Sequence, residues 1–163
     1  MNVIGIDPSL RRTGWAYVAG TGRTRYWAHG SLRGDDDAGL LALLKEAAQA
    51  GVTHAAIEDV YLGKNFRTAA VLAEVRGRIK GACAAAGIEV RDVPAMTWKA
   101  GMLTMNGRLP QGRKDQKASA VMVAQALGAN PRNSDEADAV CIADYARRAW
   151  TTEARAIARR PKP

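Results

Sequence analysis

The sequence has little of what marks secreted, thiolate-metal or membrane-spanning proteins. Its 163 residues include only two cysteines, Cys83 and Cys141, which lie far apart in apolar stretches and form no CxxC pair. This usage excludes a disulfide framework and predicts reduced cysteines in the core. No apolar run approaches the roughly 20 residues of a membrane span. The N-terminus also lacks the basic and apolar segments of a secretory signal. We therefore expect a cytoplasmic location and no membrane partner.

Histidine is as scarce as cysteine. The chain has only His29 and His54, neither of which has a visible partner in the sequence, and we interpret both as structural. Without a cysteine or histidine cluster, the sequence offers no zinc-type site. Oxygen donors are then the candidate ligands for any metal ion.

Positive charge, by contrast, is in excess. Lysine and arginine number 24 against 16 aspartates and glutamates, a formal net charge of +8, and the pI is about 9.9. This balance favours a polyanionic partner, most often nucleic acid. A chain of this length is most simply one domain with a sizeable core.

The rest of the chain is organised around its first eighteen residues. Residues 3–6 have the composition of a buried strand that ends at Asp7, and Pro8 cannot continue a sheet ladder. Gly14 then opens a second apolar stretch, which we expect to return as the other half of a hairpin. A carboxylate beside core residues is costly to bury unless a cation or a donor meets it. Asp7 is therefore the first candidate functional residue.

The segments that follow predict a mixed five-stranded α/β sheet flanked by helices. Strand–helix–strand alternation after an antiparallel meander argues for parallel pairing of the later strands. Glu58 ends its strand as Asp7 ends the first, so parallel pairing would bring both acids to one end of the sheet. The expected elements are strands at 23–30, 53–58 and 88–93 and helices from the acidic run at 35–37 to Gly51 and over 65–86.

The helix over 65–86 carries small residues at a strict four-residue spacing. Glycine inside a helix costs about 1 kcal/mol relative to alanine, so the stripe suggests that another backbone packs closely against it. The sheet, another helix of the chain and a second subunit are all candidate partners. The stripe consists of Ala69, Ala73, Gly77, Gly81 and Ala85.

The last third of the chain predicts a mobile basic loop over 101–117, a helix to about Leu127 and a final helix that begins near Ser134 as its N-cap. The basic tail from Arg147 is expected to fray. We therefore divide the chain into a domain at residues 1–150 and a flexible basic tail at 151–163.

Asp135 and Asp138 fall one turn apart on one face of the final helix. Such acids often serve only to complement the helix dipole. Together with Asp7 and Glu58, however, they form a set of four oxygen donors of the kind that Mg²⁺ or Mn²⁺ prefers. A basic protein with carboxylate-bound Mg²⁺ is equipped for phosphodiester hydrolysis.

Three motifs in this order resemble those of RuvC-type Holliday-junction resolvases, which are crossover junction endodeoxyribonucleases of the ribonuclease H-like superfamily. The motifs are Gly-Ile-Asp-Pro-Ser at 5–9 followed by Thr13-Gly14, Ile-Glu-Asp-Val-Tyr at 57–61 followed by Lys64-Asn65, and Asp-Glu-Ala-Asp-Ala at 135–139. The resemblance covers about residues 2–150.

This resemblance implies a ribonuclease H-like fold and a homodimer that nicks two opposed strands of a four-way DNA junction, in recombination and repair. It implies two Mg²⁺ ions per active site, for which Mn²⁺ substitutes, and products with 5′-phosphate and 3′-hydroxyl ends. A branch-migration helicase is left open as a further partner. The four metal-binding and catalytic acids fall on Asp7, Glu58, Asp135 and Asp138.

DNA contacts are carried over less uniformly. The junction-contacting aromatic falls on Tyr61, and the basic residues fall on Lys99 and on Lys114 or Lys117, although the loop at 101–113 is longer than the family pattern. The full set of DNA-binding candidates is Tyr61, Lys64, Asn65, Lys99, Arg113, Lys114 and Lys117.

Three other functions share some of these features. A sugar kinase or actin-like ATPase also opens with a strand and an aspartate, but it needs a second domain for which the chain has no room. A nuclease of ribosomal-RNA precursors shares the fold but not the stretch from Glu58 to Tyr61. A DNA-binding module without catalysis would not need four acids. Metal-dependent nicking of a synthetic four-way junction separates all of these.

Overall fold

A computed structural model describes residues 2–19, 26–59 and 66–159 of the chain. Its strands are β1 (Val3–Asp7), β2 (Arg12–Ala19), β3 (Tyr26–Arg33), β4 (His54–Glu58) and β5 (Glu89–Val93). Its helices are α1 (Asp37–Gln49), α2 (Phe66–Ala85), α3 (Ala95–Leu103), α4 (Arg113–Ala126) and α5 (Ser134–Ala158). Within these ranges no helix has both the length and the apolar character needed to cross a membrane.

The strands form one mixed sheet in the order β3-β2-β1-β4-β5. β1, β2 and β3 are antiparallel neighbours, whereas β4 and β5 continue the sheet in parallel with β1. The predicted meander with parallel strands beside it is therefore confirmed, although β3 extends further than expected, to Arg33. Because Ile6 pairs with Ile57, the acids that follow them, Asp7 and Glu58, lie at the same end of the two strands.

Helices cover both faces of the sheet, which explains why the central strand β1 has no polar side chain before Asp7. Ile4 and Ile6 pack with residues of α1 and α2 such as Leu44 and Ile79. Val3 belongs to the opposite core, which α3, α4 and α5 cover. α5 runs across β1 and β2. Among the described helices it makes the most extensive contact with the sheet.

The segment 101–117, predicted as a mobile basic loop, is helical at both of its ends. α3 and α4 enter it from either side, and residues 104–112 alone connect them. Leu103 at the end of α3 is completely buried, which fastens this helix to the core. Gly101 lets α3 approach α5, because a Cβ there would lie 2.8 Å from the Tyr145 ring. The loop prediction is wrong at these ends because it ignored tertiary burial.

The last helix is longer than predicted. Fraying was expected from Arg147, but α5 continues as helix to Ala158. Trp150 helps to hold this part of the helix, since it is largely buried and the Arg91 guanidinium of β5 lies 5.1 Å from its ring centroid. No break in secondary structure marks the division at residue 151, and the flexibility of residues 151–163 stays a prediction.

The small-residue stripe of α2 is buried at Ala69 but exposed from Ala73 to Ala85. A Cβ built on Gly77 or Gly81 would meet no described atom within 4 Å. The opposite face of α2 packs on the sheet through Val75 and Ile79. Of the three partners considered for this stretch of the stripe, the sheet and the other described helices are excluded, and a second subunit stays a prediction.

Candidate active site

Four carboxylates, carried by β1, β4 and α5, meet at the carboxyl ends of β1 and β4. Asp7 and Glu58 are the last residues of these two strands. Asp135 and Asp138 lie in the first turns of α5. All four line one pocket of about 380 Å³. The fold thus brings together the four acids that the sequence singles out.

Two glycines allow α5 to lie directly on the sheet beside these acids. A Cβ on Gly5 of β1 would overlap the backbone of Ala139, and a Cβ on Gly14 of β2 would overlap the backbone carbonyl of Asp135. Gly14 is also the register partner of Asp7 across the hairpin. The first turn of α5 therefore rests on the residue next to Asp7, and this contact determines how closely the acids of the helix approach those of the sheet.

Burial and like charge raise the pKa values of two of these acids. The pKa of Asp7 lies well above its usual range because the carboxyl group is desolvated and because the other three acids surround it, Glu58 most strongly. Burial and then the charge of Glu58 raise the pKa of Asp138 to about 7, although Lys99 and Lys117 act to lower it. A cation bound among such carboxylates would relieve both effects.

Two lysines partly offset the negative charge of the pocket. Lys99 Nζ lies 3.7 Å from Glu58 Oε1, and Lys117 Nζ lies 3.4 Å from Asp135 Oδ1. Lys117 also donates a hydrogen bond of 2.7 Å to Ser134 Oγ. Both ammonium groups stand in the pocket wall, where they offer positive charge to an anion that enters.

Trp98 is a site residue that the sequence interpretation missed. Its side chain is completely buried, and its indole Nε1 donates a hydrogen bond of 3.1 Å to Glu58 Oε1. This bond holds the Glu58 carboxylate toward the pocket. The only sequence signal for a role of Trp98 is its position next to Lys99, a DNA-binding candidate. The helix that carries both residues, α3, is not predicted from the sequence.

The chemistry of the pocket fits a hard divalent cation. Its acids supply oxygen donors only, and two of them have pKa values raised by burial and mutual repulsion. The carboxylates surround an open pocket rather than converging on one point. Accordingly, no group of three or more His, Cys, Asp or Glu side chains among the described residues is already arranged to hold an ion. The fit therefore rests on donor type and electrostatics.

The remaining DNA-binding candidates have different outcomes. Lys99, Arg113 and Lys117 line the same pocket as the acids. Lys114 is exposed on α4 and does not line it. The other three, Tyr61, Lys64 and Asn65, lie outside the described residues.

Both histidines have partners that the sequence did not reveal. His29 Nδ1 lies 2.9 Å from Glu136 Oε2, and Glu136 is almost completely buried. His54 Nε2 lies 3.5 Å from Glu89 Oε2. These partners were not visible in the sequence because each is distant along the chain and only the packing of α5 and β5 brings it near. The interpretation of both histidines as structural stays a prediction.

A match to a known protein family accompanies this geometry. The family model described as RuvC, crossover junction endodeoxyribonuclease, matches residues 3–144, a range that includes all four acids. The chain belongs to the RuvC family. RuvC from Nitratidesulfovibrio vulgaris is 35% identical over 153 residues, which is 88% of this chain and 88% of the relative. RuvC from Erythrobacter litoralis is 30% identical over 150 residues, which is 86% of this chain and 89% of the relative.

A solved structure of the RuvC family shares the fold. Thermus thermophilus RuvC in complex with a Holliday junction substrate superposes with a TM-score of 0.71 at 20% sequence identity, over 94% of this chain and 96% of that one. The mixed five-stranded sheet with helices on both faces, which the sequence predicted, is thus a fold that this chain shares with a solved RuvC.

Proposed function

We propose that this RuvC-family chain is a metal-dependent endonuclease that resolves four-way DNA junctions by paired, symmetric nicks. The observation that carries the proposal is the convergence of Asp7, Glu58, Asp135 and Asp138 in one pocket. Membership of the RuvC family supports the junction as substrate. The basic charge of the chain, +8 overall, supports binding to DNA phosphates.

The four acids would hold Mg²⁺, or Mn²⁺ in its place, with two ions per active site. Bound there, the ions would activate the attacking water and stabilise the leaving 3′ oxygen, so that the products carry 5′-phosphate and 3′-hydroxyl ends. Trp98 keeps one oxygen of Glu58 fixed through its indole N–H. Lys99 and Lys117 in the pocket wall would draw the scissile phosphate toward the acids.

A homodimer would place two such pockets on opposed strands of a symmetric junction. The surface that supports this proposal is the exposed part of the α2 stripe, where Gly77 and Gly81 have open space above them. Small residues at this spacing allow the backbone of a second helix to approach closely. A helicase partner and a cytoplasmic location stay predictions.

Contacts with the unpaired bases of the junction are assigned to Tyr61, with Lys64 and Asn65 beside it in sequence. In sequence these residues lie between the end of β4 and the start of α2, within seven positions of Glu58. Arg113 lines the pocket at the start of α4, where it would contact the DNA backbone next to the acids. Lys114, exposed beside it, would contact phosphates farther from the pocket.

The test is cleavage of a synthetic four-way junction, labelled on each strand in turn, beside a linear duplex and an RNA hairpin. The expected result is nicks at opposed positions of the junction in Mg²⁺ and none in EDTA. Asp7→Asn should abolish nicking and leave junction binding equal or tighter, because a neutral amide repels phosphate less. Asp115→Asn, the same change at an exposed site on α4, serves as the control and should cut normally.

Three results would overturn the proposal. Junction binding without metal-dependent nicking would indicate a DNA-binding module. Preferential cleavage of the RNA hairpin would indicate an RNA-processing nuclease. Nicking by Asp7→Asn within tenfold of the parent rate would show that the acids are not the catalytic groups.

A further inference from the structure

A partly buried contact between a histidine and a glutamate joins the far edge of the sheet to the helical turn that carries two of the acids. His29 Nδ1 of β3 lies 2.9 Å from Glu136 Oε2 of α5, with side-chain exposures of 14% and 3%. Glu136 stands between Asp135 and Asp138 in the chain but is not among the residues that line the pocket. The pair is therefore adjacent to the active site without entering it.

The Glu136 carboxylate also completes the cap of α5. It accepts hydrogen bonds from the Arg132 backbone N–H at 3.0 Å and from Asn133 Nδ2 at 3.1 Å. The N-cap is Asn133, not Ser134 as predicted. Its Oδ1 accepts hydrogen bonds of 3.0 Å from the backbone N–H groups of Asp135 and Glu136. This reciprocal arrangement satisfies backbone donors that the start of a helix leaves unpaired. It shapes the turn but does not attach it to the sheet.

Attachment to the sheet comes from β2 and β3. Gly14 of β2 lets the Asp135 carbonyl approach without a side chain between them. His29 of β3 holds the Glu136 side of the same turn. One contact limits how closely the turn approaches β2, and the other joins the turn to β3.

We infer that His29, acting through Glu136, is a positioning residue that orients the first turn of α5 so that Asp135 and Asp138 face Asp7 and Glu58. The inference rests on the proposed function. Displacing catalytic groups by about 1 Å can lower a rate by about a hundredfold, so we expect loss of this attachment to slow cleavage beyond what any loss of stability accounts for. Neither His29 nor Glu136 touches the substrate in this role.

The chain offers a matched control in its other histidine. His54 has a side-chain exposure of 16%, close to that of His29, and also pairs with a glutamate, Glu89, at 3.5 Å. It lies at the start of β4, beside Val3 and at the opposite end of the sheet from the pocket. Replacing either histidine removes the same side chain from a similarly exposed position. Of the two, only His29 contacts the turn that bears the acids.

The experiment compares His29→Leu, His29→Asn, His54→Leu and the parent. Four quantities are measured: the melting temperature in EDTA, the junction Kd in EDTA, the single-turnover nicking rate as a function of Mg²⁺ concentration, and hydrogen exchange of residues 134–142 in EDTA. His29→Leu should bind the junction within twofold of the parent, nick at least tenfold more slowly, require more Mg²⁺ for half-maximal rate and exchange faster at the start of α5. His29→Asn, which keeps a donor near the position of Nδ1, should recover most of the rate. His54→Leu should lower the melting temperature without any of the other changes.

The possible failures are distinguishable. If His29→Leu matches the parent in rate and Mg²⁺ dependence, the attachment has no role in positioning. If both leucine variants lose rate in proportion to their melting temperatures and His29→Asn does not recover it, the pair serves stability only. If the parent itself does not nick junctions, the proposed function fails, and the hydrogen exchange of residues 134–142 still decides whether His29 holds the turn.

Discussion

Replacing Asp138 by asparagine should make the chain more stable in the absence of divalent ions, although it should abolish cleavage. Asp138 is a partly buried carboxyl group in the same pocket as Glu58 and the other acids. Its charge is therefore unfavourable to the folded state unless a cation is bound. Asparagine has nearly the same shape without the charge.

The magnitude follows from the pKa of Asp138. Its rise from 3.8 to about 7 spans about 3 pH units, and each unit corresponds to about 1.4 kcal/mol, which limits the destabilisation to about 4 kcal/mol above neutral pH. Since asparagine still buries a polar amide, we expect about half of this, about 2 kcal/mol. In a chain of this length about 1 kcal/mol shifts the melting temperature by roughly 2–4 °C, so the variant should melt about 4–8 °C higher.

The direction of the Asp138 pKa shift determines the pH range over which the variant and the parent differ in stability. Because the folded pKa is raised above the unfolded value, the protonated carboxyl group favours the folded state, and this contribution is complete below pH 3.8 and lost as the pH rises to about 7. The difference in melting temperature between the variant and the parent should therefore open between pH 4 and 7 and stay constant above that. Saturating Mg²⁺ should stabilise the parent more than the variant and reduce the difference.

The assay is thermal unfolding in EDTA from pH 5 to 8.5, repeated in Mg²⁺. Asp144→Asn is the matched control, because Asp144 is on the same helix and nearly completely buried but pairs with Arg147 at 2.7 Å and Arg148 at 2.6 Å. Its removal leaves two guanidiniums without their partner, so this variant should melt lower at every pH. An Asp138→Asn protein that melts at or below the parent at pH 8 in EDTA would refute the electrostatic account of the pocket.

Three further predictions concern the glycines and the aromatic residue. Gly14→Ala should fold less stably and nick at least tenfold more slowly, because its Cβ would overlap the Asp135 carbonyl; a parental rate would show that the turn adjusts without cost. Gly77→Leu should convert a dimer to a monomer by light scattering without lowering monomer stability, since its side chain would enter open space within the chain; a dimer that persists and cuts normally would place the stripe in solvent. Tyr61→Ala should lose junction cleavage while keeping its melting temperature, and Tyr61→Phe should retain most activity, because base stacking needs the ring and is worth about 1–3 kcal/mol per base; an alanine variant that unfolds early would assign Tyr61 to the core.

Local sequence pattern was sufficient to predict the mixed antiparallel and parallel pairing of the sheet and two of its acids. An apolar run followed by an acid and a proline marks the end of β1, and a similar run ending at Glu58 marks β4. The register that puts the two acids side by side follows from parallel pairing of these strands. These features depend on residues adjacent in the chain, whose periodicity and breaks are visible without coordinates.

The contacts that hold the acids in place were decided by tertiary structure alone. The bond from Trp98 to Glu58 and the pair of His29 with Glu136 join residues 40 and 107 positions apart. Each depends on which faces of α3 and α5 meet the sheet, a property of packing that neither periodicity nor motif spacing encodes. The requirement for glycine at position 14 is likewise a property of the packing. The local sequence there predicted a hairpin, whereas the side chain must be absent because the α5 backbone lies directly against this residue.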